Sequence, residues 1–109
     1  METKRNKNLE INELELHDAE IKPIIFNYAS KTAELKLILN LHGGEVLGAT
    51  LYFYDVDVFT ITLTEPWGSG KYISKATIKE VSKQYSFRTV LNSGDEIYIK
   101  SNNLEYIPD

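Results

Sequence analysis

An all-β domain is the fold class this sequence predicts, and three observations predict it. Residues 33–42 and 85–91 alternate apolar and polar side chains with a period of two. Turn-forming clusters recur roughly every 8–12 residues. Between them the chain is rich in β-branched and aromatic residues, which suit a pleated, half-buried surface.

The elements follow in order. Residues 1–8 read as a flexible polar tail and residues 9–109 as one β domain. In the tail, Lys4, Arg5 and Lys7 would suit the start of a secretory signal. The apolar stretch that should follow is missing, because Leu9, Ile11, Leu14 and Leu16 are interspersed with Glu and Asn. That stretch suits a short strand or one helical turn, and His17-Asp18-Ala19-Glu20 interrupts it. Residues 21–28 form the next strand, an edge or a strand start because Pro23 cannot donate to a ladder. Residues 29–31 make a short hairpin connection. Ala33, Leu35, Leu37, Leu39 and Leu41 then share one face, with Glu34, Lys36, Ile38, Asn40 and His42 on the other. Gly43-Gly44 ends this strand with residues that tolerate positive φ.

Residues 46–54 are apolar and aromatic, and Tyr54-Asp55-Val56-Asp57 breaks the pattern. Phe59, Ile61 and Leu63 resume alternation against Thr60, Thr62 and Thr64. Glu65-Pro66-Trp67-Gly68-Ser69-Gly70 is a loop. Residues 72–81 carry Lys75, Lys79 and Glu80, which would suit a helix face, but their β-branched neighbours favour a strand. Tyr85, Phe87, Thr89 and Leu91 share one strand face, and Asn92-Ser93-Gly94-Asp95 is turn chemistry. Ile97 and Ile99 return, Asn102-Asn103 turns again, and residues 104–107 make a last short strand. The expected architecture is an antiparallel β-sandwich or partly open barrel of about seven to eight strands, with at most one short helix.

The bulk numbers narrow the function classes. With 109 residues the chain suits one domain. It has no cysteine, hence no disulfide framework, redox motif or Cys-based zinc site, and it fits a reducing, cytoplasmic setting. A net charge of −4 argues against a dedicated nucleic-acid binder. No apolar run reaches the roughly 18 residues of a membrane span.

Candidate sites are sparse. His17-Asp18 is a His–carboxylate pair that suits an acid–base dyad or part of a metal site, yet neighbours on a strand point to opposite faces. His42 lies beside an apparent turn. Asp55 and Asp57 match the first two ligands of a calcium loop, but the twelfth position is Pro66 rather than Glu. No metal or cofactor is expected. Gly68 and Gly70 lack the rest of a phosphate-binding loop. Trp67, the only Trp, either anchors a partner or folds back to plug one end of the domain. The seven tyrosines are read as amphipathic strand filler.

Taken in order, Leu16-His17-Asp18 with Ile21, residues 53–56, Glu65-Pro66-Trp67-Gly68, Tyr72-Ile73, and Ser93-Gly94-Asp95 with Ile97 and Ile99 resemble a loose group of small, mostly uncharacterised bacterial proteins. The resemblance covers most of the chain after residue 14. Ser69-Gly70 stands where many of that group have Pro-Ser. Some of the group accompany toxin-immunity cassettes, so the resemblance implies an interaction or immunity role and brings no catalytic residues.

The expected function is therefore a non-catalytic protein-interaction domain, of the immunity type, that blocks a toxin by occlusion. Its binding residues would be Trp67, Glu65, Asp55, Asp57, His17 and Asp18, with Glu13, Glu15 and Glu20 adding negative charge toward a basic protein partner. The alternative is a small-ligand or carbohydrate-binding module lined by Tyr and Trp. A third reading is a small enzyme using His17 and Asp18. Exposed strand edges leave a homodimer open.

Overall fold

A computed structural model describes residues 16–40 and 44–109. The tail 1–8, the alternating stretch 9–15, Glu13, Glu15 and His42 lie outside the described residues. Those described form six antiparallel strands, β1 (Glu20–Asn27), β2 (Thr32–Asn40), β3 (Val46–Ile61), β4 (Ile73–Val81), β5 (Gln84–Leu91) and β6 (Glu96–Pro108). They make one sheet in the order β1-β2-β3-β6-β5-β4. Residues 72–81 are strand rather than helix apart from Tyr72, which makes a single bridge to Glu20.

Among the described residues the strand count is six, not seven to eight, because two expected breaks are bends inside long strands. Asp55 takes φ 54, and the β3–β6 register shifts between Val56 and Val58. A bulge of this kind turns a strand without ending it. Asn103 pairs with Tyr54 and Ser101 with Val56, so Asn102-Asn103 continues β6 through the same bend. The connection between β1 and β2 ties into this corner, where the Val56 N–H donates to the Lys31 carbonyl at 2.9 Å.

Two half-layers follow from the bends. The first halves of β3 and the last part of β6 sit beside β2, which pairs in turn with β1. The later part of β3 and the start of β6 sit beside β5 and β4. Each half-layer turns its apolar face inward. Leu35, Leu37, Leu39, Leu51 and Phe53 from one meet Ile73, Phe87, Ile97 and Ile99 from the other, all essentially fully buried. The Phe53 and Phe87 rings lie 5.6 Å apart at 49°, a tilted pair across the core. Pro23 sits in a β1 bulge between Ile21 and Ile24, on an edge strand as its missing N–H requires.

The sheet's two edge strands meet at their starts. Asp18 N–H donates to Ile73 O (2.7 Å), Ile73 N–H to Ala19 O (2.8 Å) and Ile21 N–H to Lys71 O (2.7 Å). A Glu20–Lys71 ion pair at 3.0 Å lies over this junction. No helix among the described residues is long and apolar enough to cross a membrane.

Candidate functional site

The Pro-Trp-Gly loop and the Ser-Gly-Asp turn, separated by about a quarter of the chain, form one structural unit. Its hub is Asp95, which is 4% exposed. One carboxylate oxygen accepts from Thr62 Oγ1 (3.0 Å) and from the Thr64 N–H (2.7 Å). The other accepts from Ser93 Oγ (2.9 Å), and the Glu65 N–H lies 3.1 Å from both. Burial pushes the Asp95 pKa up, but the N–H donors of Glu65 and Thr64 and the hydroxyls of Ser93 and Thr62 outweigh it, so the carboxyl titrates below its ordinary value.

This clasp decides where the loop points. Thr62 and Thr64 turn toward Asp95, and Leu63 between them is thrust outward, 79% exposed. Trp67 N–H donates to Ser93 O at 2.9 Å, fixing the loop on the turn. Gly94 has φ +90, and a Cβ there would lie 2.8 Å from Trp67 Cδ2 and 2.7 Å from Pro66 Cγ. Both rings therefore rest on a surface only glycine leaves free. Trp67 is nonetheless 69% exposed, so it is not the plug of the core. Beside it an open cleft of ≈ 440 Å³ is lined by Glu65, Ser69, Gly70, Lys71, Tyr72 and Asn92.

The other nominated residues divide between two places. His17 and Asp18 sit on the turn before β1, 3.3 Å apart with exposed side chains. Asp18 is tied to β4 through Ile73, and its carbonyl accepts from Asn40 Nδ2 at 2.8 Å. They thus stand at the strand junction that also holds Lys71, one side of the cleft. Asp55 and Asp57 lie elsewhere, at the corner of β3. Asp57 accepts from Gln84 Nε2 at 2.6 Å and Asp55 is 3.4 Å from Asn103 Nδ2. The strand from Asp57 to Ile61 alone spans roughly 13 Å, which separates this corner from the Trp67 loop. Among the described residues no three His, Asp or Glu side chains converge to hold a metal ion.

The tyrosines are scattered: Tyr106 is buried in the core and Tyr85 packs against it, while the others lie at or near the surface. Tyr52 and Tyr54 stack at 6.1 Å on the outside of the first half-layer, Tyr72 lines the cleft and Tyr98 lies on the second half-layer. Sequence reasoning missed Asp95 and Leu63. Asp95 was legible only as a turn residue, since its donors come from Ser93 and from Thr62, Thr64 and Glu65 in the segment that follows β3. The chain matches no protein-family model, no curated protein and no solved structure.

Proposed function

We propose that this chain is a non-catalytic protein-interaction domain whose docking element is the Trp67 loop. The observation that carries the reading is an exposed Trp on a loop hydrogen-bonded to the Ser93–Asp95 turn, through the Trp67 N–H to Ser93 O and the Thr64 and Glu65 N–H groups to the Asp95 carboxylate. A preordered aromatic loses little conformational freedom on binding, which is why such residues dominate binding hot spots. Leu63 supplies a second exposed apolar anchor, and Glu65 and Asp18 add negative charge nearby, favouring a basic partner. A toxin blocked by occlusion in the cytoplasm is the partner that the motif resemblance points to. Scattered tyrosines, with Tyr72 the one aromatic in the cleft, give a ligand-binding module less support.

The test is affinity capture on the tagged chain from its own organism's lysate at low and moderate salt, followed by calorimetry with the captured protein. Trp67→Ala is expected to weaken binding by about 2 kcal/mol or more with the fold intact. An unchanged affinity removes the loop from the interface. A co-purifying small molecule with no protein partner replaces the reading by the ligand-binding one.

A further inference from the structure

The outer face of the second half-layer carries a charge opposite to that of the chain. Cross-strand pairing sets out its rows. Lys75 lies beside Val90 and Glu96, Thr77 beside Arg88 and Tyr98, and Lys79 beside Ser86 and Lys100. These three rows thus hold four cations and one acid, in a chain of net charge −4. The Arg88 guanidinium is held 4.6 Å over the Tyr98 ring and 3.7 Å from Glu96. Thr77, Lys79, Ser86, Arg88 and Tyr98 line a cavity of ≈ 300 Å³ on it.

The same face ends on an unpaired strand edge. Among the described residues, β4 pairs with β5 alone beyond its junction at Ile73. Its exposed edge alternates Lys75, Thr77 and Lys79 outward with the half-buried Ala76 and Ile78 inward. An added strand would satisfy the free N–H and C=O groups, place every second side chain against the lysines and the others beside the apolar core.

We propose that the β4 edge and its basic face take an extended segment of another protein in which acidic residues alternate with apolar ones. Charge complementarity selects this occupant. A second copy pairing through β4 about Thr77 would set Lys75 of each copy against Lys79 of the other, and like charges directly opposed destabilise a ladder. Single-stranded nucleic acid needs successive stacking platforms, whereas Tyr98 is the one aromatic among these rows and Arg88 already covers it. The site is separate from the Trp67 loop, and its test reads β4 amides rather than loop affinity.

The probe is a short capped peptide alternating glutamate and valine, titrated at low salt into the isotope-labelled full chain and followed by amide NMR. Expected are shifts at residues 75–81 and at Arg88 and Lys100, with slowed amide exchange along β4. Lys75→Glu with Lys79→Glu is expected to weaken binding about tenfold or more. If that pair fails to fold, Lys75→Gln with Lys79→Gln is expected to weaken it less but measurably. Absent binding, equal binding of a lysine–valine peptide, shifts confined elsewhere, tighter binding of oligothymidine, or β4 shifts driven by protein concentration alone would each overturn the proposal.

Discussion

Asp95 does at the residue scale what a turn of regular structure does elsewhere: it satisfies backbone donors that the loop would otherwise bury without partners. Asp95→Ala strands the Thr64 and Glu65 N–H groups and the Ser93 hydroxyl, and should lower the melting temperature by roughly 5–15 °C. The pH dependence follows from the direction of its titration. A carboxyl whose folded pKa lies below its unfolded value contributes stability that is fully present above the unfolded pKa. That contribution is lost as pH falls through the folded one. Acidification should therefore destabilise the wild-type chain more steeply than Asp95→Asn, read as melting temperature against pH. Glu20 adds to the same slope, because the hydrogen bond from Lys71 outweighs desolvation and lowers its pKa too.

Strands and turns carry their own strain. The β4–β5 hairpin closes through Ser82 and Lys83, both left-handed at φ 53 and 65, the geometry of a type I′ turn. No Gly or Asn marks this turn in the sequence, so composition does not announce it. Ser82→Asn with Lys83→Gly should relieve the left-handed penalty and raise stability by about 1 kcal/mol, measured by urea unfolding with an unchanged m-value. Asp55 shows the converse. The Asp55-Val56-Asp57 segment that reads as a break proves to be a corner, because β3 and β6 bend together and keep their ladder on both sides.

Across the whole molecule, β3 and β6 run through both half-layers, so neither half can unfold while leaving the other's core intact. Phe53 belongs to the first half-layer and packs on Phe87 of the second. Phe53→Ala should cost about 3–5 kcal/mol. The loss should appear as one transition, with Trp67 fluorescence, which reports the second half, coinciding with far-UV circular dichroism. Separate transitions would show that the halves fold independently.

Local pattern decides where the clearest strands lie and which of their faces is apolar, while the bends inside β3 and β6 are beyond it. The alternation of Leu35, Leu37 and Leu39, or of Phe87, Thr89 and Leu91, is a property of consecutive residues, and burial follows it there; it fails at Leu63, which lies beyond the end of β3. Of the candidate site, Trp67 and the two motifs around it were legible as unusual loop residues. Their union was not, because Thr62, Thr64 and Glu65 reach Asp95 across some thirty residues of chain. Tertiary structure also decided that Trp67 stands outward, since only the packing of Pro66 and Trp67 on Gly94 orients the ring. The sorting of charge likewise depends on register. Lys75, Lys79, Arg88 and Lys100 are spread along the sequence over three strands, and they share a face only because hydrogen-bonded ladders between those strands align them.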